Sequence, residues 1–419
     1  MMIAGGGSEQ PIGRSVFNLL ASGILVGLFL LNTSSSLFNN AKVALLQFVF
    51  CLGALALLRP VRISRRVPWV LFALLACSLI LSHGLTRGGE AVFPSLLRLI
   101  ECLLAVLFGF AACHWVSVER RATLWIASAV ALAIAICFSV YASVWVSLDD
   151  PRHFDWVYDP PMFVNIRNLG HCLAIGMVCS AWLFFSCRPL GKVSGWAAFF
   201  LASAMMAWSG SRGSFMAALL GLALLGLVFS WREHARLWAV LLGTLLLAFW
   251  VASLFAVADG SMGWLSAFQR TREAMGTEAL GSGRWAMWRE TTGFIAQRPW
   301  FGWGGEAFRI LLGWRKEIQP HNSVLQVLLE WGVAGAVSLL ALMTYVLSGA
   351  LRRFWLLRLA GANTACLASA GFGLVLVLPL LALSLVDGVF YHGTPMALLA
   401  AGFGVIAALC AEVPHQPDG

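Results

Sequence analysis

Apolar runs such as Ser15 to Leu31, Phe215 to Trp231 and Leu237 to Val257 dominate this chain. They approach or reach the roughly 20 residues that cross a hydrocarbon core about 30 Å thick. Lipid offers backbone N–H and C=O groups no partners, so each run must be helical. Runs of this kind fall near 15–32, 41–58, 67–82, 96–115, 122–146, 169–187, 193–208, 215–231, 237–257, 323–348, 360–384 and 394–411. The sequence therefore predicts an all-α integral membrane protein of about 12 transmembrane helices. With 60% apolar and 11% charged residues, against roughly half and a quarter in soluble proteins, no water-facing surface could be built from it.

The net charge of +9 would suggest a nucleic-acid partner in a soluble protein, but in a membrane protein the basic residues must first be sorted by side. Arg14 and the short connections Arg59 to Arg66, Val118 to Arg121, Arg188 to Lys192, Arg232 to Arg236 and Arg352 to Arg358 hold 14 of the 28 Lys and Arg. The short connections at the other end carry Arg87, Arg152, Arg167 and Arg212. The positive-inside rule then places both termini in the cytoplasm, with membrane lipids and no nucleic acid as surroundings. The N-terminal run lacks a small-residue cleavage site and is expected to be an uncleaved anchor. The ten Cys sit in or beside apolar runs without a CxxC pair, as small core residues do.

One connection departs from the short-loop pattern. Residues 1–257 hold nine runs, 258–322 form a long outer loop, and 323–419 hold three more runs and a short tail. Loops this long are usually functional. An amphipathic helix is expected from Trp264 to Leu280, and Trp264, Trp285, Trp288, Trp300, Trp303 and Trp314 predict a lid at the membrane interface, where indoles are favoured.

The sharpest candidate is His321, where this loop enters the tenth run at Pro320-His321-Asn322-Ser323. A helix start favours neutral imidazole, a competent proton acceptor; a capping or interfacial histidine is the equal alternative, and Asn322 or Ser323 serves equally well as the cap. Arg212, in Ser-Gly-Ser-Arg-Gly-Ser, has small neighbours that let an anion approach backbone N–H groups, or else snorkels at a helix end. Arg284 and Arg289, in Gly-Arg-Trp-Ala-Met-Trp-Arg, form a second cationic site or a Trp/Arg belt on lipid headgroups. Lys42 opens the second run and attracts an anionic lipid or snorkels. Arg98 and Glu101 are three apart and predict a structural ion pair; Glu330 is a partner-orienting or structural acid. Asp149, Asp150, Asp155, Asp159 and His153 lack tight metal-ligand spacing, so no metal is expected, and the first outer loop has no carboxylate. Arginines on a leaving diphosphate and a histidine on an acceptor hydroxyl would suit transfer from a lipid-linked pyrophosphate.

The ordered motifs Ser-Gly-Ser-Arg212-Gly, Gly-Arg284-Trp-Ala-Met-Trp288, Arg298-Pro299-Trp-Phe-Gly302-Trp-Gly304, His321-Asn322-Ser-Val-Leu325 and Glu330-Trp-Gly332 resemble the O-antigen ligase family, within the superfamily of ligases, polymerases and protein O-oligosaccharyltransferases. The spacing of His321 and Gly332 is of the ligase type. Where relatives often have His-Pro before the glycine turn, this chain has Arg298-Pro299, so Arg298 takes no histidine's role. The resemblance implies a membrane-embedded, GT-C-type, inverting, metal-independent glycosyltransferase without cofactor. It would move O-antigen polysaccharide from undecaprenyl pyrophosphate to lipid A-core at the periplasmic face of a Gram-negative inner membrane. By the same resemblance His321 is the base and Arg212 and Arg284 are the catalytic diphosphate ligands, with Arg289 close enough to exchange roles with Arg284; Arg289, Asn322 and Lys42 are expected as further substrate-binding residues. A polymerase, a protein transferase or, in a different class, a lipid or polysaccharide transporter are the alternatives.

Overall fold

The computed structural model describes residues 11–31, 37–58, 66–86, 89–119, 121–187, 189–257, 260–275, 284–312, 318–362 and 364–411. Nine apolar helices come first: α1 (Pro11–Leu30), α2 (Leu37–Leu57), α3 (Arg66–Gly84), α4 (Gly89–Val118), α5 (Ala122–Ser147), α6 (Ile166–Ser186), α7 (Pro189–Ser209), α8 (Arg212–Val228) and α9 (Ala235–Ser253). The long connection contributes α10 (Trp264–Ala274), α11 (Arg284–Gln297) and α12 (Ala307–Leu311), and the chain returns through α13 (Ser323–Leu359), α14 (Thr364–Ser384) and α15 (Gly393–Ala411). Ten of these helices are long and apolar enough to cross a membrane, and α8 and α15 supply two shorter apolar segments. Together they are the twelve runs of the sequence. Arg59 to Arg65, Arg87, Arg120, Arg188, Trp314, Arg315 and Lys316 lie outside the described residues.

Leu55, Val146 and Leu190 are at least 80% exposed, which in a bundle of this hydropathy marks a surface for lipid. The centre is α6, whose residues are buried almost without break from Ile166 to Phe185. Small side chains allow this. At Gly195 of α7 a Cβ would lie 2.6 Å from the Phe184 backbone nitrogen and 2.8 Å from the Ser180 carbonyl oxygen, so α6 and α7 meet backbone to backbone, as membrane helices do where small residues face each other.

One boundary differs from the sequence reading for a physical reason. α13 was expected to stop at 348 but continues to Leu359, because arginines at a helix end reach out of the apolar layer without ending the helix; Arg358 donates to the Leu227 carbonyl 2.7 Å away. The amphipathic helix α10 spans Trp264–Ala274, and residues 276–280 of its expected span lie outside the described residues.

A second difference shapes the site. α13 is broken at Gly332 (φ 62°, ψ −166°), a conformation close to exclusive to glycine. The break opens four backbone groups, and residues 299–304 close them. Trp303 and Gly304 N–H donate to the Leu329 and Glu330 carbonyls, each at 2.9 Å, while Val333 and Ala334 N–H donate to the Pro299 and Trp300 carbonyls at 2.8 and 3.0 Å. Non-helical backbone at membrane depth is tolerated where protein satisfies it in this way. The Gly302-Trp-Gly304 and Glu330-Trp-Gly332 motifs are thus two halves of one backbone clasp. Arg298, at its edge, stacks 4.0 Å over the Trp303 ring and donates to the Leu85 carbonyl.

Candidate active site

The upper half of α13 starts with a cap. Asn322 Oδ1 accepts from the Val324 and Leu325 N–H groups at 3.0 and 3.1 Å, and its Nδ2 donates to the Leu385 carbonyl at 3.1 Å. The capping choice left open by sequence therefore falls to Asn322, whose amide is committed to the backbone. His321, one residue earlier, is a non-glycine residue at φ 50°, a left-handed conformation that costs energy and persists where neighbours enforce it. Here it turns the imidazole inward, buried against the segment joining α14 to α15.

Each ring nitrogen has its own neighbours. Asp387 Oδ1 lies 3.1 Å and Gln319 Nε2 3.2 Å from His321 Nδ1, and the Arg167 guanidinium lies 3.2 Å from Nε2. A guanidinium only donates, so Nε2 holds the lone pair, and Nδ1 carries the proton it gives to Asp387. This is the tautomer a general base requires at Nε2.

Asp387 is the hub of a buried polar cluster. It also accepts from His171 Nε2 at 3.0 Å, from its neighbour's Gly388 N–H at 2.8 Å and from Gln319 Nε2 at 3.5 Å. Burial works to raise its pKa, yet the His171 and His321 contacts outweigh burial and hold the carboxyl well below the usual range, so it is ionised. His392 meets Gln319 Nε2 at 3.0 Å; burial, then the neighbouring His171, push it down to about 3, so this second imidazole is neutral.

Around the same segment, Arg284 at the start of α11 donates to the Val386 carbonyl at 2.6 Å. Arg212 at the start of α8 donates to Thr271 on α10 at 2.7 Å, and a Cβ on the adjacent Gly213 would lie 3.5 Å from Leu383 and 3.7 Å from Val386. The starts of α6, α8, α11 and α13 thus converge on residues 383–387, carrying Arg167, Arg212, Arg284 and His321. Helix starts and guanidinium groups both favour anions. Arg289 is exposed on α11, five residues on and so about 140° round the helix from Arg284; the two face different ways. Lys42 is exposed in the first turns of α2, while nearby Asn40 ties that helix to the Tyr391 carbonyl and the Gly393 N–H. Trp288 Nε1 donates to the Pro320 carbonyl at 2.8 Å, holding α11 against the turn that carries His321.

A second charged cluster lies deeper. Arg98, fully buried, pairs with Glu101 at 3.4 Å and Glu330 at 3.5 Å and donates to the Phe390 and Tyr391 carbonyls. The expected Arg98–Glu101 pair is present, and Glu330 belongs to it instead of orienting His321. Glu306 completes the cluster, its N–H on Glu330 at 3.1 Å and its carboxylate accepting from the Tyr391 hydroxyl at 2.9 Å; burial and then Glu330 push it up to about 7. In the aspartate-rich loop between α5 and α6, Asp150 pairs with His153 at 2.7 Å, and Asp155 accepts from the Val157 and Tyr158 N–H groups.

Sequence reasoning missed Asp387, Gln319, His171 and His392, and it took Arg167 only as one of the few basic residues in the outer connections. Apart from Gln319, two residues away, each is remote from His321 in the chain, Asp387 by 66 residues and Arg167 by 154. The one available signal was a lone carboxylate, Asp387, between the last two apolar runs.

No curated protein matches the chain. The family whose motifs the chain carries in order is also the one whose model it matches, O-antigen ligase, over residues 197–340, a stretch that takes in Arg212, Arg284, Arg289, His321 and Asn322 but neither Arg167 nor Asp387.

Proposed function

We propose that the protein is an O-antigen ligase, transferring polysaccharide from undecaprenyl pyrophosphate to a sugar hydroxyl of lipid A-core at the periplasmic end of the bundle. One observation carries this reading: an imidazole whose Nε2 lone pair is set by Asp387 stands where three arginine-bearing helix starts meet. In the reaction the acceptor oxygen attacks the anomeric carbon opposite the diphosphate. The bond from that carbon to the diphosphate oxygen breaks, and its electron pair leaves with the diphosphate. The hydroxyl proton passes to His321 Nε2, and attack from the opposite face inverts the anomeric centre. Arg212 and Arg284 hold the growing negative charge, and Asp387 stabilises the imidazolium that forms. Because guanidinium groups supply the charge at the leaving group, the mechanism calls for no metal.

The broken α13 and the buried Arg98 cluster also suit a transporter, since discontinuous helices and intramembrane charges line many transport sites. Purified protein in lipid, supplied with lipid-linked O-antigen and lipid A-core, separates the two readings. Ligation by the wild type and its loss in His321→Ala are expected; glycan movement without a new glycosidic bond would overturn the assignment. Supplying a second lipid-linked repeat as acceptor tests polymerisation in the same vesicles.

A further inference from the structure

We infer that Arg167 masks the His321 base until a lipid diphosphate draws it away, so that the leaving group switches on the proton acceptor. The inference rests on the transferase reading and concerns a residue outside the matched family segment. In the structure the Arg167 guanidinium sits 3.2 Å from His321 Nε2, the atom that must take the acceptor's proton. With that lone pair directed at a donor, no substrate hydroxyl can use it. Arg167 is exposed on the first turn of α6, four residues before His171, so one helix face grips both ends of the pair: Arg167 on the imidazole and His171 on its carboxylate partner.

A diphosphate entering among Arg212, Arg284 and the helix starts meets a third guanidinium already at the rim. Phosphate oxygens accept a bidentate, charge-assisted pair that a neutral imidazole nitrogen cannot match. Arg167 therefore turns from His321 to the diphosphate. Two consequences follow together. The Nε2 lone pair opens to the acceptor hydroxyl, and its proton affinity rises because a cation has left and an anion has arrived. The other groups facing His321 stay in place: Asp387 on the α14–α15 segment, His171 on α6, His392 beyond Gln319, and Arg284 on α11 through Val386. An empty enzyme thus keeps its base covered, and the base is strengthened only beside a loaded leaving group.

The test measures protons and not turnover. Farnesyl diphosphate, a short analogue of the departing lipid diphosphate, is titrated into the full-length protein in nanodiscs near pH 6.5, the ordinary range of an imidazole, in buffers of different ionisation enthalpy. The wild type should take up more protons on binding than His321→Gln, by a substantial fraction of one proton. That excess should shrink in Arg167→Gln, where only the arriving anion and no departing cation acts on the imidazole, with binding weakened about tenfold, as loss of one of several guanidinium contacts implies. Asn165 still caps α6 in this variant, its side chain accepting from the residue 167 and 168 N–H groups. Equal excess in wild type and Arg167→Gln, or none in the wild type, overturns the masking role. If binding nonetheless falls in Arg212→Ala and Arg284→Ala, the transferase reading survives that failure. Absence of diphosphate binding to the wild type would sink both.

Discussion

Removing the His321 imidazole should lower single-turnover transfer by about two to four orders of magnitude, the span general acid–base catalysis supplies. Donor affinity, measured on the same folded His321→Ala protein, should hold, because in the proposed reaction the arginines and not the imidazole carry the diphosphate. Wild-type single-turnover transfer in that variant would end the base assignment. Asp387→Asn probes the tautomer: an amide can donate to Nδ1, which moves the ring proton to Nε2 and removes the acceptor lone pair. Loss of about 10³- to 10⁴-fold is expected, the scale seen when an orienting carboxylate becomes an amide. Arg212→Ala and Arg284→Ala should each lose about 10²- to 10³-fold in transfer, with Lys restoring only part, since an ammonium lacks the planar fork. Full recovery with Lys at both positions would exclude bidentate recognition. At this scale the sequence singled out His321, Arg212 and Arg284 through their local motifs. It could not name Asp387 or Arg167, because nothing local marks a residue whose whole significance is a contact across 66 or 154 positions.

The helices themselves were readable because the bilayer sets a minimum apolar length, and α1 to α9 and α13 to α15 each answer to one run in the sequence. What that rule could not reveal is an interruption inside a run. Residues 323–348 are apolar apart from Gln326, Glu330 and the hydroxyl residues Ser323, Ser338, Thr344 and Ser348, and hydropathy does not register that Gly332 adopts φ 62°. Gly332→Ala should expose the difference. Its Cβ would lie 2.5 Å from the Trp300 carbonyl carbon and 2.6 Å from the Phe301 nitrogen, on top of a backbone cost of roughly 1–3 kcal/mol. The thermal midpoint in detergent should drop by several degrees. Gly243→Ala is the contrast: in the middle of α9, its Cβ meets nothing within 4 Å, and helix propensity favours alanine there by roughly 0.5–1 kcal/mol. If Gly332→Ala were as harmless as Gly243→Ala, the clasp would not be what holds the break open.

For the molecule as a whole, two buried groups outside the membrane spans give opposite pH dependence to folding. His392 is pushed down to about 3 from 6.5, so the unfolded chain binds this proton first and stability falls as pH drops from 6.5 toward 3. Glu306 is pushed up to about 7 from 4.5; the folded chain keeps a proton the unfolded chain has lost, and stability falls as pH rises from 4.5 to 7. Between 4.5 and 6.5 the two slopes oppose each other. Thermal melts across that window should therefore be flat for the wild type, decline with rising pH for His392→Gln and climb for Glu306→Gln; matching slopes in both variants would refute the pairing. The charge asymmetry of the short connections makes a further expectation: in a background without reactive native cysteines, a label at 353 reacts from the cytoplasm and labels at 155 and 270 from the periplasm. One reversed position would overturn the register of the bundle. The clasp also imposes an order of assembly. Translation delivers residues 299–304 about thirty positions before Gly332, so the strip that closes the gap in α13 has already been made when the gap is made. A circularly permuted chain that synthesised α13 first would offer its opened carbonyl and amide groups to lipid, each at a cost of several kcal/mol, and its biogenesis would stall at that helix.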